Sequence, residues 1–352
     1  MKHGFIRSRF TRRQFLKRAA RQTGLTGLGG VLALAASRAA CANPGDEPNP
    51  FAYDLGRLQR TDPKLVHYEL QNRIRAPRAE PRRLALGPGP AIYVAAGNYI
   101  SVLDSAGAVT SEIALAAPAR CLSVTPAGIL YAGLRDHIEV FDARGQRQAA
   151  WEAPAKRTWF TGLAVTDKEV FAADAGNRVV LRYDRSGKIL GRIGEKNKER
   201  NVPGFIVPSP FFDLKAHQDG LLRVVNPGRH RVEAYTREGD FEFAWGKPSA
   251  AIEGFCGCCN PVSLALMADG RFVTCEKGLP RVKVYSAQGE FESVVAGVEA
   301  FSENAKACAA NDPSDCTKGG LDAAVDADGR VYVLDLVAGD VRVMVRKASR
   351  QG

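Results

Sequence analysis

The cysteines of this sequence are the residues whose type and spacing point most directly to chemistry. Three of them stand in one short run, Phe255-Cys256-Gly257-Cys258-Cys259-Asn260-Pro261, and Cys275, Cys308 and Cys316 follow along the chain. Thiolates are the soft ligands that zinc, copper(I) and iron–sulfur clusters bind, and four of them complete a common site. The spacing is not that of a ferredoxin, so it does not identify the metal. The sequence predicts a metal or iron–sulfur centre held by Cys256, Cys258, Cys259, Cys308 and Cys316.

A second candidate site lies in the segment Asn226-Pro227-Gly228-Arg229-His230-Arg231. Arg229 and His230 can bind an anionic cofactor or ligate a metal ion. The structural alternative is that both side chains hold a strand and a loop together by hydrogen bonds to backbone carbonyls. No Gly-rich phosphate loop, Ser/His/Asp signature or paired-carboxylate motif stands out. No metal-ligand spacing links the other histidines that follow the leader, which are His67, His137 and His217.

The excess positive charge of the chain belongs to its first 42 residues. The formal net charge is +11, but residues 1–42 hold nine of the 49 Lys and Arg residues and no Asp or Glu. Removing these nine leaves 40 basic residues against 38 acidic ones. A nearly neutral body does not indicate a basic nucleic-acid-binding surface, so no nucleic-acid partner is predicted.

The leader has the features of an export signal. Thr11-Arg12-Arg13-Gln14-Phe15-Leu16-Lys17 resembles the twin-arginine signal, and the weakly apolar stretch 23–36 is shorter than the ~20 residues of a membrane span. Ala40-Cys41-Ala42 supplies a small-x-small cleavage pattern. Arg38 stands where a lipid-attachment signal has Leu, which favours cleavage over a lipid anchor. We predict a mature chain that starts at Asn43, without a transmembrane span, in the periplasm or secreted.

The same cysteines can form disulfides, because the periplasm is oxidising. Cys308 and Cys316 enclose a short loop that can close on itself. One of the eight cysteines lies in the leader, and the remaining odd number cannot pair completely within one chain. Adjacent Cys258 and Cys259 are expected to point to opposite sides of an extended backbone. Structural disulfides, a metal centre and a redox-cycling disulfide stay open, and Cys121 is expected to be a buried thiol.

The body of the chain consists of short alternating apolar runs broken by Gly, Asp and Pro, which is typical of an all-β fold. One pattern returns five times: an apolar run that ends in Asp, Ser or Thr, then two further residues, then Gly. Glycine suits this position because a tight hairpin requires a positive φ there. A second turn in most repeats divides each repeat into four strands, the parts of one propeller blade. The five glycines are Gly107, Gly145, Gly187, Gly239 and Gly289.

The third repeat indicates the kind of propeller. Residues 171–187, FAADAGNRVVLRYDRSG, resemble the repeat of the NHL β-propeller family, and weaker copies occur at 231–235 and 281–285. The chain is also similar to exported bacterial NHL-repeat proteins that carry a Cys-Gly-Cys-Cys-Asn-Pro motif. The resemblance covers roughly residues 64–348 and implies a six-bladed propeller. Its six repeats begin near Leu84, Leu122, Leu163, Leu214, Leu264 and Leu321.

The ends of the repeat array predict how the ring closes. The sixth repeat stops after its third strand at 341–345, so its outer edge is missing. The strand-like run 65–70 ahead of the first repeat can supply that edge, which leaves no sheet edge exposed. We therefore predict one six-bladed β-propeller at 64–348, a Pro-rich linker at 43–63 and a signal peptide at 1–42.

Propeller geometry divides the loops of the blades between two faces. The turns after the first and third strands of each blade lie on what we call the first face, and all other loops lie on the second face. First-face turns are uniformly short in this sequence, whereas second-face loops are long and contain the clustered cysteines. Because binding residues favour variable loops on a rigid scaffold, we expect function on the second face.

These observations predict an exported propeller whose cysteine-rich rim binds a metal or iron–sulfur centre. Its role would be periplasmic electron transfer or redox partner binding, and its partner a periplasmic protein or a small molecule. A disulfide-stapled binding platform without catalysis is the first alternative. A lyase or lactonase is the second, since some NHL-like propellers hold a divalent metal in the central channel through His or carboxylates. No such histidine set is visible in this sequence, and the fold alone does not fix the function.

Overall fold

The computed structural model describes residues 58–303, 305 and 320–348. The predicted twin-arginine leader, residues 43–57, Cys308 and Cys316 lie outside the described residues. The domain bounds 1–42, 43–63 and 64–348 therefore stay predictions. In the described part of the chain, no helix has the length and apolar character needed to cross a membrane. The short 3-10 helices of this part are Pro63–Leu65, Pro227–Arg229 and Val298–Phe301.

Nearly all regular structure in the described residues is β-strand. In chain order, the strands are β1 (Tyr68–Arg75), β2 (Pro81–Leu86), β3 (Ile92–Ala96), β4 (Tyr99–Leu103), β5 (Val109–Ala114), β6 (Cys121–Val124), β7 (Leu130–Gly133), β8 (Ile138–Phe141), β9 (Arg147–Trp151), β10 (Phe160–Val165), β11 (Glu169–Asp174), β12 (Val179–Asp184), β13 (Ile189–Ile193), β14 (Leu214–Ala216), β15 (Leu222–Asn226), β16 (Arg231–Tyr235), β17 (Phe241–Trp245), β18 (Ser263–Leu266), β19 (Phe272–Cys275), β20 (Val282–Tyr285), β21 (Phe291–Ala296), β22 (Leu321–Val325), β23 (Val331–Asp335) and β24 (Asp340–Arg346).

The strands form six antiparallel sheets of four strands each. The first five blades are the consecutive sets β2–β5, β6–β9, β10–β13, β14–β17 and β18–β21. The sixth blade has the order β1-β24-β23-β22, so the N-terminal strand is its outer strand. The inner strands β2, β6, β10, β14, β18 and β22 contact one another in turn, and β22 contacts β2. The prediction of an all-β, six-bladed propeller closed by an N-terminal strand is confirmed.

The closing strand begins later than the sequence suggested. Residues 63–65 form a 3-10 turn in which the Asp62 side chain accepts a hydrogen bond from the Lys64 N–H at 2.9 Å. Pairing with β24 then runs from Tyr68 opposite Arg346 to Arg75 opposite Asp340. The closing strand is therefore Tyr68–Arg75 rather than 65–70, because the proline turn shifts its start.

The hydrophobic core is divided among the blade interfaces. Each of the six clusters of buried apolar side chains draws its members from two neighbouring blades. Strands β11, β15 and β23 are buried along their whole length, whereas the outer strands β5 and β13 are mostly exposed. The rigidity of the loops on either face thus depends on packing between blades.

The predicted hairpin turns form as their residue types require. In the third blade, the Asp184 carboxylate accepts the backbone N–H groups of Ser186 at 2.8 Å and Lys188 at 3.0 Å. Gly187 has a φ of +94°, in the region that side chains disfavour. The same Asp or Ser turn chemistry recurs around the ring, which keeps the first face short and regular.

Candidate functional site

The predicted cysteine run forms a second-face loop between β17 and β18, called here the cysteine loop (residues 256–261). The Asn260 side chain fixes it to the loop that follows β19. Asn260 Oδ1 accepts the Lys277 N–H at 2.9 Å, and its Nδ2 donates to the carbonyls of Lys277, at 2.9 Å, and Cys256. Gly257 takes a φ of +85°, which turns the chain between the cysteines. One amide side chain therefore holds two second-face loops of the fifth blade in register.

Three buried charged residues lie beneath this loop: Glu276, Arg281 and Lys283, called here the buried charge cluster. Glu276 accepts the Cys256 N–H at 3.1 Å and pairs with Arg281 at 2.8 Å and Lys283 at 2.7 Å. Lys283 Nζ also donates to the carbonyls of Ile252 and Gly254, at 2.9 and 2.6 Å. Burial lowers the pKa of Lys283 to about 8, against the attraction of Glu276. The cysteine loop is thus anchored to an ionic cluster that solvent does not reach.

The Cys258 and Cys259 sulfur atoms lie 3.4 Å apart. The expectation that these side chains point to opposite sides of an extended backbone is wrong, because the loop turns at Gly257. Cys258 is exposed, whereas Cys259 is only 2% exposed. The two sulfurs are close enough to bind one metal ion together, and solvent reaches the pair at Cys258.

The other described cysteines have different surroundings. Cys256 is half-buried and lines a cavity of about 510 Å³ together with Lys277, Leu279 and Val298. Cys275 is fully buried at the end of β19, where burial and then the nearby Asp322 raise the pKa of its thiol. That thiol stays protonated at neutral pH and is a poor metal ligand as it stands.

Cys121 is buried at the start of β6, with 2% of its surface exposed. Burial raises the pKa of its thiol to about 12. Its sulfur faces the Gly133 carbonyl at 3.8 Å, within the second blade. Cys121 is therefore an inert thiol distant from the cysteine loop in the fold.

The predicted metal ligands are brought together only in part. Within residues 58–303, 305 and 320–348, no group of three or more His, Cys, Asp or Glu side chains is arranged to hold a metal ion. Cys258 and Cys259 are adjacent, and Cys256 lies in the same loop but lines the neighbouring cavity. Cys308 and Cys316 fall outside the described residues, so their part in the site stays a prediction.

Arg229 and His230 lie on the second face of the fourth blade, and both contact backbone carbonyls. An Arg229 Nη donates to the Pro203 carbonyl at 3.2 Å. His230 takes a φ of +56°, and its Nε2 approaches the Gly257 carbonyl. His230 therefore links the fourth blade to the cysteine loop. These contacts correspond to the structural alternative, and a cofactor-binding role for the two residues stays a prediction.

A polar network of mostly buried side chains crosses the central channel. Arg83 pairs with Asp322 at 3.0 Å, and Asp322 also accepts the Ser263 hydroxyl at 2.7 Å. Asp213 pairs with Lys215 at 3.1 Å. Burial opposes the ionisation of Asp213, but Lys215 and Arg83 outweigh it and lower its pKa. The network joins four inner strands and separates a first-face cavity of about 280 Å³ from a second-face cavity of about 60 Å³.

Sequence reasoning missed a group of arginines at the second-face opening of the channel. Arg82 and Arg120 line the 60 Å³ cavity. The guanidinium carbons of Arg120 and Arg135 lie 5.4 and 5.0 Å from the ring centroid of Trp159. These residues come from three repeats, with Arg120 and Arg135 both in the second, and form no contiguous motif. A usable signal was that Arg82, Arg120 and Trp159 each stand at or just before the start of an inner strand.

No protein-family model and no curated protein matches the chain in sequence, but solved structures share its fold. A streptogramin B lyase superimposes with a TM-score of 0.53 and 13% identity, over 80% of this chain and 98% of the lyase. Selenomethionine-substituted virginiamycin B lyase from Staphylococcus aureus gives 0.53 and 13%, over 80% and 100%. An inactive histidine-to-alanine variant of the same enzyme, bound to quinupristin, gives 0.53 and 13%, over 76% and 81%. This similarity establishes the propeller fold.

Proposed function

We propose that the protein is an exported NHL-type propeller whose cysteine loop binds a soft metal ion or iron–sulfur centre. The bound centre serves electron transfer or the binding of a redox partner in the periplasm. The observation that carries this proposal is the 3.4 Å separation of the Cys258 and Cys259 sulfurs. Two thiolates bound tetrahedrally to one zinc ion at about 2.3 Å lie about 3.8 Å apart. The pair therefore needs only a small movement to bind one ion from the same side.

The way the loop is held supports a binding role. Asn260 and Glu276 fix the backbone on either side of the sulfurs by hydrogen bonds from buried positions. A rigid support lowers the entropic cost of arranging two ligands. The exposure of Cys258 leaves this edge of the loop accessible to a partner. The twin-arginine leader is consistent with the role, because it predicts export of a protein that folds before it crosses the membrane.

The proposal predicts that protein exported through its own pathway carries metal in a ratio near one per chain. Bound iron–sulfur or copper also gives visible charge-transfer absorption. Cys258→Ser should abolish this metal, because it removes one of two adjacent ligands, while the propeller stays folded and loses only the stabilisation that the bound metal supplies. Metal analysis, the UV–visible spectrum and thermal denaturation measure these effects.

The matched control is Cys121→Ala, which removes a cysteine from a different blade interface and leaves the loop sulfurs in place. Its metal content should equal that of the wild type. Peptide mapping by mass spectrometry tests the rival chemistry on the same sample. The proposal would be wrong if the protein contained no metal and all six clustered cysteines were in intact disulfides. A disulfide-stapled binding platform would then remain. The six are Cys256, Cys258, Cys259, Cys275, Cys308 and Cys316.

A lyase function is a second candidate, favoured by the fold match along almost the full length of a streptogramin B lyase. At 13% identity the match supports a shared fold and does not by itself support a shared reaction. The described residues that line the two channel cavities include no histidine. The two channel aspartates, Asp213 and Asp322, are engaged by Lys215 and Arg83. We therefore prefer the thiol-based function.

A further inference from the structure

We propose that the second-face opening of the central channel binds one oxyanion group (a carboxylate, sulfate or phosphate) among Arg82, Arg120 and Arg135. Its three arginines come from the first and second blades, and none of them belongs to the cysteine loop or to the fifth blade. Arg82 is in β2, Arg120 precedes β6, and Arg135 follows β7. The proposal therefore assigns a ligand to a part of the second face that the thiol-based function does not use.

The arginines converge on one aromatic ring. The guanidinium carbons of Arg120 and Arg135 lie 5.4 and 5.0 Å from the centroid of Trp159, so they are at most about 10 Å apart. Arg82 and Arg120 line the same cavity. A guanidinium presents several N–H donors in one plane, which suits two-point recognition of an oxyanion. The cluster thus offers converging donors from three points of the second face.

The positive charge of this cluster is poorly compensated by the protein. Arg82 reaches Glu80 only at 3.5 Å, and the Glu80 side chain is 78% exposed. Within the described residues, no salt bridge joins Arg120 or Arg135 to a carboxylate, although the charge of Arg135 acts on the neighbouring Asp136, which pairs with His137 at 2.8 Å. Burial, and then the charges of Arg82 and Arg135, lower the pKa of Arg120. An anion bound between them relieves this repulsion.

Two buried donors of this group of residues also lack acceptors. Arg82 Nε and Trp159 Nε1 have no hydrogen-bond partner among the described residues. A buried donor without an acceptor is costly, so both point to a ligand or ordered solvent. The Asp322 carboxylate on the cavity wall does not serve them, because Arg83 at 3.0 Å and the Leu84 N–H at 2.8 Å occupy it.

The size of the cavity limits what it can hold. Its volume is about 60 Å³, roughly twice the ~30 Å³ that a water molecule occupies in the liquid. One oxyanion group fits such a space, whereas a whole organic substrate does not. Pro210 and Phe211 form an apolar part of the wall, so any larger ligand extends from the anion toward the second face.

The test is isothermal titration of the purified protein with sodium sulfate, phosphate or citrate at fixed pH and ionic strength, with tryptophan fluorescence recorded in parallel. We expect saturable one-to-one binding of at least one of these anions and a change in tryptophan emission. Comparison of sulfate and phosphate with citrate separates a tetrahedral oxyanion from a carboxylate. Absence of saturable binding for all three anions would overturn the proposal.

Variants locate the site. Arg120→Met should weaken binding at least tenfold, and Arg135→Met should do so without disturbing packing, because Arg135 is exposed. The matched control is Arg144→Met, which removes the same charge from an exposed first-face turn and should leave the affinity unchanged. If Arg120→Met fails to fold, the anion affinity of Arg135→Met alone tests the site. Equal affinities for Arg135→Met and Arg144→Met would refute the site.

A stability measurement separates binding from a structural role. In buffer without multivalent anions, Arg120→Met should unfold at the same temperature as the wild type or higher, because it removes a charge that its neighbours repel. Saturating sulfate should raise the unfolding temperature of the wild type more than that of the variant. A lower unfolding temperature for the variant with an unchanged response to sulfate would assign Arg120 a structural role instead.

Discussion

At the scale of single residues, Lys283 is the most unusual group of the fifth blade. Its side chain is fully buried, yet its ammonium contacts Glu276 and two backbone carbonyls in the segment that leads to the cysteine loop. Burial lowers its pKa to about 8, while Glu276 and Glu253 favour the charged form and Arg281 opposes it. A buried ammonium that satisfies three acceptors fixes the loop at an electrostatic cost.

This cost has a pH signature. The pKa of Lys283 is about 8 in the folded state and near 10.5 in the unfolded chain, so the unfolded chain binds more protons between these values. Its contribution to the free energy of unfolding therefore rises with pH in that window and is constant below pH 8. Relative to Lys283→Met, the wild type should gain about 2 kcal/mol between pH 7.5 and 9.5, measured by urea denaturation.

Only the difference between the two proteins is informative. The raised pKa of Cys121, for example, lowers stability as the pH rises, but it does so equally in the wild type and in Lys283→Met. Exposed Lys188 supplies a control, since the difference between the wild type and Lys188→Met should not change over the same range. A flat difference for Lys283→Met as well would show that its pKa is not lowered.

At the scale of elements, the first-face hairpins pack against the preceding blade. A Cβ atom added at Gly289 would lie 2.2 Å from the Trp245 side chain, which ends the last strand of the fourth blade. Gly187 has the same relation to Trp151, at 2.6 Å. Glycine is therefore required at these positions for two reasons. The turn needs a positive φ, and a tryptophan of the preceding blade occupies the space that a Cβ atom would need.

Gly289→Ala should consequently cost more than the backbone alone explains. The matched control is Gly220→Ala, where φ is +85° and nothing lies within 4 Å of an added Cβ. We expect Gly220→Ala to cost about 1–2 kcal/mol from the left-handed backbone. Gly289→Ala should cost a further 1–3 kcal/mol because it overpacks the blade interface. Equal losses in urea denaturation would contradict a role for Trp245 in this requirement.

Features that depend on residues close together in the sequence could be predicted, whereas contacts between distant residues could not. The hairpin at Gly289 could be predicted because its determinants lie within four residues, whereas its contact with Trp245 could not, since the partner is in another repeat. The same limit explains the error at Cys258 and Cys259. An extended backbone was a reasonable expectation, but Gly257 and the long-range anchors of the loop turn both sulfurs to one side.

The arginine cluster could not be predicted for the same reason, because it depends on a contact between repeats. The hairpin of β6 and β7 brings Arg120 and Arg135 together within the second blade, but Arg82 lies in the first blade and joins Arg120 at the cavity only when the inner strands form a ring. The propeller itself was predictable because a repeated local pattern specifies each blade. The sites on its faces depend on which repeats become neighbours, and on loops that do not repeat.

At the scale of the whole molecule, the ring is stabilised by six equivalent interfaces, and one of them depends on the N-terminal strand. Strand β1 pairs with β24 along Tyr68–Arg75. Its Ile74 side chain faces Gly107 of the first blade, 2.7 Å from where a Cβ of that glycine would lie. β1 thus is the outer strand of the sixth blade and also packs, through Ile74, against the first blade. Trp245, in the outer strand of the fourth blade, packs against the fifth blade in the same way. Removing it opens a sheet edge and an interface together.

Truncation tests this closure. Deleting residues 43–60 should leave the oligomeric state and the unfolding temperature unchanged, because β1 and its preceding turn are retained. Deleting residues 43–75 removes β1, exposes the edge of β24 and uncovers the apolar cluster that contains Ile74. That form should aggregate in size-exclusion chromatography or unfold at a clearly lower temperature. Ile74→Ala is the milder companion, with an expected loss of about 2–5 kcal/mol, since it leaves the strand pairing and empties only the interface. If the two truncated forms were equally soluble and equally stable, the ring would not depend on its N-terminal strand, and the sixth blade would have to be stable with three strands.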